Sequence, residues 1–137
     1  MRPGLLVLAF VCLVVGCEKK RTACVYEIPE GFTGWVSIEF GASNCPPLSK
    51  RDGKLIVPIG CDGRCCTSSE LEYGWAKDTY FFVGKSRSEI RDTGWGGGGL
   101  IWGGSIGSAQ QQGKPERVSE NFFVGTEDQF KHAEEPR

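Results

Sequence analysis

Short apolar or alternating runs, separated by glycine, proline and aspartate, are the dominant pattern of the chain. The clearest alternation covers residues 34–40, where Val36, Ile38 and Phe40 share one face. Such a period of two is typical of a strand with one buried face. Residues 79–83 form a continuous apolar run, which predicts a strand covered on both faces. Further strands are predicted at residues 24–28, 54–59, 100–102 and 121–124.

These strands and their turns predict an all-β fold, a small antiparallel β-sandwich with a short C-terminal helix. Asp52 and Gly53 are typical of a hairpin turn. The helix is predicted from a capping box, in which Thr126 caps the first turn and Gln129 bonds back to it. We expect a single β domain at residues 24–133 and a tail at residues 134–137.

The N-terminus predicts an export signal. Residues 5–16 are apolar and uncharged, and as a helix they would span about 18 Å, well short of the ~30 Å hydrocarbon core of a bilayer. With Arg2 in front, this run predicts a signal peptide at residues 1–16. Residues 14–17 (VVGC) resemble a bacterial lipobox, whose cysteine is acylated after the chain is cut before it. Cys17 is therefore the predicted lipidation site, and residues 17–23 are the lipidated cysteine with a short tether.

A lipidated Cys17 would make the membrane a partner and the bacterial cell envelope the location. Two or three acyl chains hold a protein firmly, whereas one does not. No aspartate follows Cys17, which favours the outer membrane in a bacterium that has two. The basic residues 19–21 either contact anionic headgroups or form a solvated tether. The alternative is an ordinary secretory cleavage that leaves Cys17 free to pair.

Five further cysteines follow the predicted lipidation site, and an exported compartment permits disulfides. Most of them are predicted to form structural disulfides, with the pairing left open. Residues 62–63 (DG) predict a tight turn within the densest cysteine cluster, and neighbours on a strand point to opposite faces. No metal is expected, because a second pair of ligands is missing and His132 is far away in sequence. The five cysteines are Cys24, Cys45, Cys61, Cys65 and Cys66.

Two tryptophans lie in a glycine-rich stretch, Trp95 and Trp102. Exposed aromatic side chains on a loop stack on sugars or anchor a protein partner. They are therefore candidate ligand-binding residues for an envelope protein or a glycan. The alternative is that they fill the core while glycine lets backbones approach closely.

Composition and motifs give little support to other functions. The chain has 16 Lys and Arg against 17 Asp and Glu, which argues against a polybasic nucleic-acid binder. A small hydrolase would use Glu70 or Asp78 beside an aromatic residue, or Ser105 in a G-x-S-x-G sequence. In a hydrolase, the serine of a G-x-S-x-G sequence lies on a strand-to-helix turn of an α/β fold. The chain is too short and too poor in helix for that fold. No catalytic residue is assigned, and no cofactor is expected.

Several segments together resemble the small bacterial lipoproteins that share the domain of unknown function DUF6843. The segments span nearly the whole predicted mature chain: residues 28–36, 45–48, 67–69, 73–78, 94–104 and 122–130. This resemblance implies an exported, lipid-anchored domain and brings no catalytic residues. By analogy alone, residues 29–36 (PEGFTGWV) and 52–60 (DGKLIVPIG) are also similar to segments of transthyretin-like sandwiches, which are immunoglobulin-like in architecture.

The sequence therefore predicts a non-catalytic lipoprotein of the cell envelope, a membrane-tethered β module. Two alternatives stay open. One is a carbohydrate- or peptide-binding lipoprotein that uses the glycine- and tryptophan-rich loop, and the other is the small hydrolase.

Overall fold

The computed structural model describes residues 19–92 and 98–135. Within these residues the chain forms strands in two sheets and a short helix near the C-terminus. In chain order, the elements are β1 (Cys24–Pro29), β2 (Gly34–Phe40), β3 (Ser49–Arg51), β4 (Lys54–Pro58), β5 (Arg64–Cys66), β6 (Thr79–Val83), β7 (Arg87–Ile90), β8 (Ile101–Ala109), β9 (Arg117–Val124) and α1 (Glu127–His132).

Both sheets are mixed. The larger has the strand order β3-β4-β1-β6-β7, and β1 runs parallel to both of its neighbours. The smaller has the order β5-β2-β9-β8, in which only β2 and β5 are parallel. The all-β prediction is confirmed, but the antiparallel arrangement is wrong. After β1 the chain forms β2 in the other sheet before it returns, and such crossovers bring strands back in the same direction.

The core lies between the two sheets and draws side chains from both. The alternation of β2 is confirmed, because Val36, Ile38 and Phe40 all face inward and are buried. Tyr26 of β1 meets Phe122 of β9 edge to face, with ring centroids 5.4 Å apart. The largest fully buried side chains of the core are Tyr26, Phe122, Ile28, Ile38, Val36, Val57 and Val124.

Strand β6 differs from its prediction, because each of its residues is half-buried rather than covered on both faces. Tyr80 and Phe82 pack against the core. Phe81 lies on the outer face, where the Arg87 guanidinium sits 4.2 Å from its ring centroid. The Arg87 cation covers the outward-facing Phe81 ring only in part. The predicted apolar run therefore forms a strand that packs on the core with one face only.

The local turn and cap signals are confirmed. Asp52 (φ 51°) and Gly53 (φ 74°) join β3 to β4, and positive φ at both central residues defines the hairpin turn predicted for this pair. At α1, the Gln129 N–H donates to the Thr126 side chain (3.2 Å), and the Thr126 N–H donates to Gln129 Oε1 (2.9 Å). The helix packs through Phe130.

No helix in residues 19–92 and 98–135 has the length and apolar character needed to cross a membrane.

Candidate functional site

The residues in front of β1 are already bound to the domain. The Trp75 N–H donates to the Lys19 carbonyl (2.9 Å), and the Arg21 N–H donates to the Trp75 carbonyl (3.1 Å). Gly74 permits this approach, because a Cβ at that position would lie 2.2 Å from the Lys19 oxygen. Residues 19–21 were assigned to the tether from the sequence; here they form a short parallel bridge with the 73–75 loop.

A second contact fixes the same segment through its charge. The Arg21 guanidinium donates to both carboxylate oxygens of Asp78, over 2.9 and 2.6 Å. The Cys24 N–H donates to the same carboxylate over 2.9 Å. Both charged side chains are less than one-fifth exposed, and the hydrogen bond to Asp78 raises the pKa of Arg21. Paired, charge-assisted bonds of this kind are strong and directional, so they hold the start of β1 against the start of β6.

Beneath this contact, a buried polar pair links the two sheets. The Tyr26 hydroxyl of β1 donates to Glu120 Oε1 of β9 over 2.7 Å. Burial raises the pKa of Glu120, and the hydrogen bond from Tyr26 offsets part of that rise. Burial also raises the pKa of Tyr26, so the phenol remains protonated. The Tyr80 ring stacks on the Tyr26 ring, with centroids 4.8 Å apart, and so packs beside the Tyr26–Glu120 pair.

A small cavity of about 50 Å³ adjoins the pair. This volume holds one or two water molecules, whereas sites for organic ligands are typically several hundred Å³. Cys24 also faces it, and burial raises the pKa of its thiol to about 11, which makes it a poor nucleophile at neutral pH. The polar residues of the lining include Arg21, Glu72 and Glu120.

Two exposed aromatic side chains stand on the loop that holds residues 19–21. Tyr73 is 58% exposed and Trp75 is 61% exposed. The lysines of this region, Lys19, Lys20 and Lys77, are also exposed. Glu72, on the same loop, accepts a hydrogen bond from the Thr22 N–H (3.1 Å). The start of the domain therefore presents apolar rings beside basic side chains.

The cysteines need a correction. Cys45 and Cys66 form a disulfide, with Cα atoms 5.8 Å apart, whereas Cys24, Cys61 and Cys65 carry free thiols. The prediction that most of the five pair is wrong, because Cys24 is buried, Cys61 is exposed and Cys65 lies on the opposite face of β5 from Cys66, as expected for strand neighbours. Cys65 packs against the core and only Cys66 reaches Cys45. Among residues 19–92 and 98–135, no three His, Cys, Asp or Glu side chains come together to hold a metal ion.

Of the two tryptophans predicted to bind a ligand, Trp95 lies outside the described residues. Trp102 is half-buried, and its Nε1–H donates to the Gly125 carbonyl over 2.8 Å. Its ring stacks on Phe130 with centroids 5.7 Å apart. The Trp102 indole thus packs and hydrogen-bonds within the protein, which agrees with the core-filling alternative.

Of the residues weighed for a hydrolase, Glu70 lines the same small cavity as Arg21 and Glu120, whereas Asp78 and Ser105 do not line it. Asp78 neutralises Arg21, and Glu70 and Ser105 are exposed. His132 Nδ1 lies 2.8 Å from the Asp128 carbonyl of its own helix. Within the described part of the chain, no hydrogen bond joins Ser105 to Asp128 or to His132.

Sequence reasoning missed Glu120, although a signal was present. Glu120 precedes Phe122 and Val124 at a spacing of two, and both of those residues are buried. Extending the predicted strand by one alternation would have placed the carboxylate on the core face. The pairing of residues 19–21 with the 73–75 loop has no such local signal, because its partners are more than fifty residues apart.

Two mixed sheets with one capped helix define an all-β, sandwich-like domain. The family model described as "Family of unknown function (DUF6843)" matches residues 20–133, and the chain belongs to this family. The fold is also that of a crystal structure, at 2.75 Å, of a predicted lipoprotein from Bacillus anthracis, with a TM-score of 0.67 and 23% identity over 85% of this chain and 81% of the other. The sequence has no match among curated proteins.

Proposed function

We propose that the protein is a non-catalytic lipoprotein of the bacterial cell envelope, in which acyl chains on Cys17 hold the β domain at the membrane. The observation that carries the proposal is the position of the lipobox-like residues 14–17. They lie at the end of the apolar run, and the folded domain begins directly behind them, at Lys19. The similarity of fold to a predicted lipoprotein supports the same assignment.

The hydrogen bonds of the ionisable side chains inside the domain support the non-catalytic part of the proposal. Glu120 is bonded to Tyr26, and Asp78 is bonded to Arg21 and to the Cys24 N–H. The first bond joins β1 to β9, and the other two join the N-terminal segment and the start of β1 to the residue that precedes β6. These groups therefore act in holding the domain together, and the adjoining cavity of about 50 Å³ is of a size for water.

Two features bear on the location. An acylated cysteine with two or three chains stays in the bilayer for long times. Because no aspartate follows Cys17, we propose the outer membrane as the destination in a bacterium with two membranes, and the outer surface of the cell membrane in a bacterium with one.

The experiment is expression of the full chain in a bacterium, followed by membrane fractionation and mass spectrometry of the mature N-terminus. The expected result is a chain that starts at Cys17, carries acyl mass on that residue and sediments with membranes. The Cys17→Ser variant should lose the acyl mass and leave the membrane fraction. The matched control, Cys61→Ser, replaces an exposed free thiol and should behave as the wild type. A wild-type chain that begins elsewhere or is unacylated would refute the proposal.

A further inference from the structure

The aromatic side chains of the 73–75 loop, Tyr73 and Trp75, are more than half exposed. The other large apolar side chains of the described residues are buried or half-buried, and those exposed are Tyr73, Trp75 and Ile106. The backbone of Trp75 is nevertheless fixed, since both its N–H and its carbonyl are hydrogen-bonded. A loop with a fixed backbone and two exposed aromatic rings suggests that the rings contact a surface outside the chain.

The distance to the lipid anchor identifies that surface. Cys17 and Lys19 are two positions apart, with only Glu18 between them, and a chain spans at most about 7 Å over that length. The Lys19 carbonyl in turn accepts the hydrogen bond from the Trp75 N–H, over 2.9 Å. Because acyl chains on Cys17 would hold that residue at the lipid headgroups, Trp75 would be held within about 10 Å of the same level.

The chemistry of the loop fits that position. Tryptophan and tyrosine are enriched at the level of the headgroups, where the ring is apolar and its N–H or O–H is hydrated. Exposed Lys19, Lys20 and Lys77 stand beside the rings, and each lysine near an anionic surface contributes about 1 kcal/mol. Glu70 and Glu72 on the same segment oppose that attraction. The aromatic rings therefore carry most of the contact.

We propose that Tyr73 and Trp75 form a membrane-contact surface, which seats the start of the domain in the headgroup layer of the bilayer that holds Cys17. The inference rests on the proposed lipid anchor and adds an orientation to it. Strands β1, β4 and β6 run parallel and start at this end, so they point away from the membrane. A strand of six residues is roughly 20 Å long, and this length separates the far ends of the strands from the lipid.

The test uses the full, acylated chain reconstituted in phosphatidylcholine and phosphatidylglycerol vesicles, with a lipid brominated near the glycerol end of its acyl chains. Vesicle flotation reports the anchor, and bromine quenching of tryptophan fluorescence reports the contact. In the floated wild type, a part of the fluorescence should be quenched. That part should be lost in Trp75→Phe. It should persist in the matched control, Trp95→Phe, which removes one of the two tryptophans of the glycine-rich stretch.

Each outcome decides between the anchor and the contact. Protein that floats but loses no quenching in Trp75→Phe overturns the membrane contact and leaves the lipid anchor standing. Protein that does not float overturns both. Quenching that disappears in Trp95→Phe and persists in Trp75→Phe assigns the contact to Trp95 and also overturns the proposal. Trp75 is largely exposed, so Trp75→Phe should keep the wild-type circular dichroism and thermal midpoint, which establishes that the fold is intact.

Discussion

Removal of the disulfide gives the most direct test of the tertiary structure. Cys45 and Cys66 are 21 positions apart, and they tie the loop after β2 to strand β5. In the chain-entropy model, a bridge over that separation destabilises the unfolded chain by about 3 kcal/mol at 25 °C. The double variant Cys45→Ala, Cys66→Ala should therefore lose about 3 kcal/mol of its free energy of unfolding.

The folded state of this variant should remain native, because other bonds hold the same loop. Thr67, which is fully buried, donates its hydroxyl to the Pro46 carbonyl over 2.9 Å. Its backbone carbonyl accepts from the Ala42 N–H, and its own N–H donates to the Glu39 carbonyl, both over 2.9 Å. The loss should thus arise mainly in the unfolded ensemble, with little change in the native spectra.

Urea denaturation followed by tryptophan fluorescence measures the effect. With an m value of about 1.5 kcal/mol/M, the midpoint should fall by about 2 M. Reduction of the wild type should give the same midpoint as the double variant, and Cys61→Ala should stay within about 0.5 kcal/mol of the wild type. A loss below about 1 kcal/mol, or a double variant that still responds to reductant, would refute the reasoning.

Three further substitutions, at Glu120 and Asp78, test the half-buried polar contacts. Burial raises the pKa of Glu120, so this group favours the folded state below about pH 4.3 and loses that contribution as the pH rises through the folded-state pKa. Glu120→Gln keeps an acceptor for Tyr26 without the charge, so its stability relative to the wild type should rise with pH. Equal differences in urea midpoint at acid and neutral pH would contradict this. Asp78→Ala removes the charge partner of Arg21, which keeps only its bonds to the Gly74 and Thr22 carbonyls, and the acceptor of the Cys24 N–H, and it should lose about 3 kcal/mol. Asp78→Asn keeps one acceptor and should lose less in the same assay, and equal losses would show that the charge alone matters.

The local elements of the fold could be predicted because their causes lie within a few residues. Thr126 and Gln129 are one helical turn apart, and their reciprocal bonds close within that turn. Asp52 and Gly53 adopt positive φ in the hairpin predicted from these two residues alone. The inward face of β2 likewise follows from the alternation of its own side chains.

The candidate site was predicted less well, because its contacts join distant parts of the chain. Asp78 was considered as a catalytic carboxylate, but its partner Arg21 lies 57 positions away. Tyr26 and Glu120 are 94 positions apart, on strands of different sheets. Neither pair has a spacing that a sequence pattern could show. The exposure of Trp75 likewise has no local signal, because it depends on the loop that holds it.

The amino-acid order alone thus predicted β1, β2, β4 and β6, the ends of β8 and β9, the hairpin turn and the helix, because steric preferences, alternation and caps act between near neighbours. It did not predict the short strands β3, β5 and β7 or the full length of β8 and β9. It also predicted an exported, lipid-anchored chain, an interpretation that the proposed experiments test. The tertiary structure decided which strands pair and in which direction, that Cys66 rather than Cys65 meets Cys45, and that residues 19–21 bind the 73–75 loop. The physical reason is that these choices depend on which distant surfaces fit together around one core. Only the folded chain brings those surfaces within bonding distance.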